Sequence, residues 1–256
     1  PPMNATRPST SDPAEAIVLD LDGVVTDTAS LHRAAWKETF DAFLRRARPD
    51  QPLFDPERDY RDHVDGLPRH DGVRAFLASR GIELPEGRDR DTLADGTVRG
   101  IASDKNDRFR RLLTIRGADV FPDAVDRIRA WRDAGLPVAV VSSSRNCRAI
   151  LDAAGLRRLF DVRVDGETMD ELGLPGKPDP ALFLEAADRL GVDPARAAAI
   201  EDATSGVRSA ARGGFGLVVG VDREGTRGDA LREHGADVVV ASLEGLEADL
   251  AAGTGR

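Results

Sequence analysis

The run AIVLDLDGVVTDT (residues 16–28) closes an apolar stretch with two carboxylates, Asp20 and Asp22, two positions apart. Residues i and i+2 of a strand share a face, so both acids lean into one space beside a turn opened by Gly23. Like charges that close require a positive partner, or one of them keeps a proton. Three further stretches place polar groups where apolar runs stop. VVSSSRN offers Ser142, Ser143, Ser144, Arg145 and Asn146 at the start of an expected helix, where hydroxyls and helix amides can bind an anion. Alone, that run reads first as a set of N-cap residues. LPGKPDPALF holds Lys177 between a glycine and a proline, and a lone lysine is ordinarily solvated surface. AAAIEDATSG ends its run on Glu201 and Asp202, a second acidic pair that is costly to bury unpartnered.

These groups can meet only if separate strands end at one edge of a single sheet. The runs AIVLDLD, LPVAVVSSS, RAAAIED, FGLVVGV and ADVVVAS have the length and branching of strands buried on both faces. Helical patterns such as DAVDRIRAWRDAG and DPALFLEAADRLG, each closed by a glycine, lie between them. Strands alternating with helices predict an α/β fold, a parallel sheet with right-handed crossovers. Ligands of such sheets bind beyond the carboxyl ends of the strands. Asp20, Asp22, Glu201 and Asp202 then converge, with Lys177 and a helix N-terminus opposite. Oxygen donors without cysteine or histidine fit a hard cation, Mg2+. The ion and Lys177 together would stabilise charge on a transferring phosphoryl group.

The stretch from 28 to 116 breaks the alternation. ASLHRAAWKETFDAFLRRA, HDGVRAFLASRG and DKNDRFRRLLTIRG read as helices joined by Pro-, Asp- and Gly-rich loops. The chain therefore divides into a flexible tail (1–15), a core (16–27 and 117–249) and an inserted helical cap (28–116). The linkers fall near Thr26–Asp27 and Gly117–Phe121.

A length of 256 residues, with 41% hydrophobic and 32% charged residues, fits an ordinary soluble globular chain. A net charge of −9 argues against a non-specific grip on nucleic acid or an anionic membrane. Cys147 is the only cysteine, so a disulfide framework is excluded and a reducing cytoplasm is expected. No apolar run reaches the ~18 residues of a membrane span, and the first residues lack the apolar core of a signal peptide. A monomer is expected, with a small phosphorylated molecule as its partner.

DLDGVVTDT, SSSRN, GKPDP and EDATSG, in this order and spacing, resemble the four motifs of the haloacid dehalogenase superfamily of phosphotransferases. The resemblance covers most of residues 16–245. It implies a Rossmann-like core, and Asp20 as a nucleophile that forms an aspartyl-phosphate. Asp22 would be the general acid/base, its main-chain carbonyl also holding Mg2+. Ser142 and Lys177 would bind the transferring phosphate, and Glu201 with Asp202 would complete the metal site. A carboxylate nucleophile needs no prior deprotonation, whereas Asp22 must exchange a proton with the sugar oxygen.

TDTASLHRAAWKETF is similar to the first cap helix of the β-phosphoglucomutase branch. His32 and Trp36 share a helical face, and periodicity alone reads them as core packing. The resemblance instead implies that His32 steers Asp22 and Trp36 lines a sugar pocket. VDGLPRHDGVRAFL is similar to the branch's cap phosphate motif, with Gly66 admitting the backbone and Arg69 binding a non-transferring phosphate. Lys105 stands where the branch has a cap lysine, and Arg145 and Asn146 are offered to the second phosphate. Two phosphate sites favour a mutase that interconverts β-D-glucose 1-phosphate and glucose 6-phosphate. The alternative is a sugar phosphatase, which needs only the proximal site. A non-catalytic sugar-phosphate sensor would have lost Asp20 or Asp22, and both are present.

Overall fold

The computed structural model describes residues 14–64 and 67–246. The chain separates into two compact units, one running up to Asp27 and on from Ala118, the other Thr28–Gly117.

The first unit is built on β1 (Ala16–Asp20), the short β2 (Thr26–Asp27) and, after the insertion, β3 (Asp119–Val120). It continues through α5 (Pro122–Asp133), β4 (Val138–Val141), α6 (Cys147–Ala153), β5 (Val162–Val164) and α7 (Gly166–Leu172). Then follow α8 (Ala181–Leu190), β6 (Ala197–Glu201), α9 (Thr204–Arg212), β7 (Leu217–Val221), α10 (Gly228–Glu233) and β8 (Val238–Val240). Six strands form one sheet in the order β5-β4-β1-β6-β7-β8. Every pairing in it is parallel. The three central strands are buried on both faces, as their unbroken apolar sequences require. Ala16, Val18, Ala139, Val141, Ala197 and Ala199 pack in one cluster with Leu182, Phe183, Ala186 and Ala187 of α8 and Val207 and Ala210 of α9. Small residues on the strands let those helices seat closely, which keeps the interior at crystal-like density.

Register sets the site. Asp20 pairs with Val141, so the strand ends at Asp20 and Ser142 lie side by side. Leu19 pairs with Ile200, which puts Glu201 level with Asp20.

The sequence reading missed three features here. β5 is an edge strand whose Arg163 breaks the apolar pattern. The run around Val238 is an edge strand too, with Val238 exposed rather than buried. The two linkers are themselves strands, since β2 and β3 pair antiparallel, Thr26 with Val120 and Asp27 with Asp119.

The second unit holds α1 (Ala29–Ala47), α2 (Arg58–His63), α3 (Arg69–Ser79) and α4 (Val98–Arg116). α4 starts earlier than its sequence pattern indicates, because Thr97 caps it by accepting the Gly100 N–H at 3.0 Å. The core joins Trp36, Phe40, Phe43 and Leu44 of α1 to Val73, Phe76 and Leu77 of α3 and Val98, Ile101 and Ala102 of α4. The polar-looking insertion before α2 contributes to this core as well. Phe54 is buried and stacks on Phe40, ring centroids 5.3 Å apart. Its amide donates to Asp41 at 3.0 Å, and its carbonyl accepts from Lys37 at 2.9 Å. Arg80 closes the segment from the other side, donating to Pro52 O at 2.8 Å and to Asp59 at 2.6 Å.

Among the described residues no helix is long and apolar enough to cross a membrane. Replacing Phe54 by Ala is expected to cost about 3–5 kcal/mol, read as a lower denaturant midpoint. An unchanged midpoint would mean that the insertion is not part of the core.

Candidate active site

Lys177 lies between the ends of β1 and β6. Its Nζ donates to Asp20 Oδ1 and, at 2.5 Å, to Glu201 Oε1. Only 10% of its side chain is exposed, against 10% for Asp20 and 1% for Glu201. The Phe183 ring lies 5.3 Å from the ammonium, a further contact of favourable sign. Burial works against the charge on Lys177, but Asp20 and Glu201 outweigh it and hold its pKa above the usual lysine range.

One ammonium does not balance this acidity. Burial, reinforced by Glu201 and Asp202, raises the Asp20 carboxyl well above the carboxylate range despite Lys177. Burial and then Glu201 push Asp202 up to about 7, although Arg227 lies 3.6 Å away.

Backbone detail fixes each acid in place. Gly23 has a φ of +85°. A Cβ there would meet Asp202 Oδ2 at 2.2 Å, so only glycine fits beneath that carboxylate. Asp22 sits in the turn from Leu21 to Thr26 and accepts from Thr26 Oγ1 at 3.1 Å. Gly206, in the first turn of α9, is equally constrained, because a Cβ would fall 1.7 Å from Glu201 Oε1. Sequence reasoning passed over Gly206, although EDATSG contains it.

The serine run behaves as an ST-turn as well as a candidate anion site. Ser142 is buried, and its Oγ accepts the Ser144 N–H at 3.2 Å, leaving the hydroxyl proton to donate. Ser144 Oγ accepts the Asn146 N–H at 3.1 Å. Ser143 is exposed and Asn146 is buried. α6 begins only at Cys147 and is short. Arg145, expected to be offered to a second phosphate, is paired with Asp170 of α7 at 2.6 Å. Both partners are more than half exposed, so the pair contributes little stability and can be exchanged for a ligand.

Glu201 also departs from the expectation of a metal ligand. One of its oxygens takes Lys177 and the other accepts the Ala203 N–H at 2.7 Å. Among the described residues no three carboxylate, imidazole or thiol groups form a ready-made metal cluster. The donor set still fits Mg2+, which keeps several waters and uses only one or two carboxylates. Asp20 and Asp202, both raised by burial and then by neighbouring carboxylates, are the two that such an ion would relieve.

The helical unit carries its own cluster. His32 Nδ1 lies 2.6 Å from Lys105 Nζ, and the ring stacks on Phe109 at 4.3 Å. An ammonium only donates, so Nδ1 is the accepting nitrogen and the ring proton rests on Nε2. Burial, then Lys105 and Arg69, drive the His32 pKa well below the usual histidine value, keeping the ring neutral. Lys105 is buried, its Nζ 5.1 Å from the Trp36 ring and 5.0 Å from that of Phe109. Trp36 departs from its expected place in a sugar pocket. It is 4% exposed and stacks on Phe40 at 5.0 Å, as the core-packing reading of its spacing requires. Arg69 is the first residue of α3. Gly66 lies outside the described residues.

Two measurements test these electrostatics. The Asp202 pKa is higher in the folded than in the unfolded chain, so its contribution to stability is present at low pH and lost as pH rises through about 7. The metal-free protein is expected to melt at a lower temperature near pH 8 than near pH 5, and Mg2+ to raise the melting point more at the higher pH; equal Mg2+ shifts would refute the ion's coupling to these acids. Replacing Lys105 by Met removes a positive neighbour and should raise the His32 pKa, read by NMR titration of the ring. An unchanged titration would show that Lys105 does not set the charge state of His32.

Comparison with known proteins agrees with this geometry. Residues 14–214 match the haloacid dehalogenase-like hydrolase family. A β-phosphoglucomutase of Mycobacterium bovis is 50% identical over 237 residues, 90% of either chain. A β-phosphoglucomutase of Bacillus subtilis is 30% identical, covering 92% of this chain and 93% of its own. The crystal structure of CbbY from Rhodobacter sphaeroides in complex with phosphate superposes with a TM-score of 0.70 at 28% identity, over 91% of this chain and 96% of that one. With a parallel sheet whose strand ends gather Asp20, Lys177, Glu201 and Asp202, the chain belongs to the haloacid dehalogenase-like hydrolase family.

Proposed function

We propose that this enzyme is a β-phosphoglucomutase, interconverting β-D-glucose 1-phosphate and glucose 6-phosphate through a phosphoaspartate on Asp20. The observation that carries the reading is the Lys177 ammonium seated between Asp20 and Glu201 at the ends of adjacent parallel strands. It orients a carboxylate nucleophile and leaves a cation beside the oxygens of an incoming phosphoryl group. The likeness to named β-phosphoglucomutases at 50% and 30% identity supports the choice of substrate.

In this reading Asp20 attacks phosphorus, and the bond from phosphorus to the donor oxygen breaks. Asp22 gives a proton to that leaving oxygen and takes one from the sugar hydroxyl that attacks in the return step. Ser142 and Lys177 hold the transferring oxygens, with the Ser143 and Ser144 segment shaping the loop, and Glu201 keeps Lys177 in place. Mg2+ would be held by Asp20, the main-chain carbonyl of Asp22 and Asp202, and when bound it offsets the carboxylate charge and that of a phosphate oxygen. Turnover through a bisphosphate needs a second phosphate site, which we assign in the core unit to Arg145 and Asn146. Within the helical unit His32, with its proton on Nε2 and Lys105 behind it, is left as a neutral hydrogen-bond donor.

The test incubates the protein with β-D-glucose 1-phosphate, Mg2+ and a trace of glucose 1,6-bisphosphate, following glucose 6-phosphate and free phosphate together. Glucose 6-phosphate without free phosphate is expected; free phosphate alone would make the enzyme a sugar phosphatase. Asp20→Asn should reduce turnover by at least about a thousandfold, and a chelator should silence the wild type.

A further inference from the structure

Arg223 is the second residue after β7, within a charged run, DREGTRGD, of the kind that is ordinarily solvated surface. Its side chain is only 18% exposed. Nε donates to Gly23 O at 3.1 Å and Nη2 to Val24 O at 2.8 Å. Nη1 reaches both carboxylate oxygens of Asp123, at 3.2 and 3.1 Å. The guanidinium also lies 3.6 Å from the centroid of the Phe121 ring. Asp123 in turn accepts the Leu243 N–H at 2.7 Å, so the anchor on which Arg223 pulls is itself tied down. All of these groups belong to the same compact unit.

The two carbonyls belong to the residues immediately after Asp22. Within the turn, the Val25 and Thr26 amides both donate to Leu21 O at 2.9 Å, and the Gly23 amide donates to Thr26 O at 2.8 Å. Val25 O is taken by the Phe121 amide at 3.0 Å. Gly23 and Val24 direct their carbonyls at Arg223 instead. Gly23 gives this turn more backbone freedom than any other residue would, and only a planar fork holds two carbonyls and a carboxylate at once.

We propose that Arg223 is a positioning residue that fixes the turn carrying Asp22, so that the Asp22 carboxyl exchanges its proton at the reacting sugar oxygen. The inference rests on the reading of Asp22 as general acid/base. Arg223 is not a phosphate ligand, because Asp123 already neutralises it and its donors serve the protein.

The test separates a reaction that needs the Asp22 proton from one that does not. With acetyl phosphate, an Asp20 oxygen bonds to phosphorus, the bond from phosphorus to the acetyl oxygen breaks, and acetate leaves as a stable anion without an acid. With β-D-glucose 1-phosphate and glucose 1,6-bisphosphate, the sugar oxygens leave or attack with proton exchange. Turnover of the sugar phosphate and phosphorylation of Asp20 by acetyl phosphate, followed by intact mass after acid quench, are compared in wild type, Arg223→Met and Arg223→Lys. Sugar turnover is expected to fall about 10–100-fold in both variants, while Asp20 phosphorylation stays within about twofold of wild type. The lysine variant keeps a cation opposite Asp123 and carries the test if the methionine variant does not fold. A fall of both reactions together, or of neither, would overturn the proposal. Asp22→Asn, measured in parallel, should show the same split; wild-type sugar turnover in that variant would refute the acid/base reading of Asp22 itself, whatever Arg223 does.

Discussion

The structure of the core unit depends on one buried cation. Lys177 sits where two parallel strands end in carboxylates, and without it the Asp20–Glu201 pair would be two desolvated like charges side by side. Removing one partner from such a buried set typically costs about 3–5 kcal/mol, because the others remain buried and unpaired. The surrounding sequence serves that arrangement. Register between β1 and β6 brings Glu201 level with Asp20, and Gly206 leaves room for the Glu201 carboxylate. The Ala203 amide takes the oxygen that Lys177 does not. The acids are then left with more negative charge than one lysine offsets, which is the electrostatic condition under which a divalent ion binds.

The helical unit presents the opposite balance. Burial, and then Lys105 and Arg69, keep His32 uncharged, and the Trp36 and Phe109 rings face the Lys105 ammonium. A neutral imidazole with a fixed tautomer is a directed hydrogen-bond donor. An ammonium packed among aromatic rings gains from their faces what it loses in hydration. The core cluster thus carries excess negative charge, whereas the His32 cluster of the helical unit carries positive charge.

Much of this was legible in the sequence, because the core strands are uninterrupted apolar runs that end in polar residues. Asp20, Ser142 and Glu201 were found by asking which residues terminate such runs, whereas Lys177 follows no strand and lies in the loop between α7 and α8, where its Gly–Pro bracket marked it. What escaped had a physical reason to escape. β5 carries Arg163 at its centre and looks like a charged loop. Phe54 lies in a Pro- and charge-rich segment outside any helix, and it is held in the core by the Phe40 ring and by backbone bonds to Asp41 and Lys37 of α1. Glu201 reads as an ion ligand by type, and only the atoms show both of its oxygens engaged within the protein. Arg223 bonds to carbonyls some two hundred positions earlier in the chain, a relation no local pattern contains.

The antiparallel pairing of β2 with β3 has a consequence for how this chain tolerates change. β1 must find β4 and β6 across the whole of the inserted unit, a long-range pairing of the sort that slows folding. Loop-closure entropy grows only logarithmically, however, by about 0.6 kcal/mol for each doubling of the intervening length. Once Thr26 meets Val120 and Asp27 meets Asp119, the chain entering and leaving the insertion is held together within the core unit. The helical unit has a hydrophobic core of its own, so its loops can lengthen, shorten or be exchanged with little penalty to the sheet. One catalytic platform can in this way be refitted for different substrates by splicing at a ribbon two residues wide.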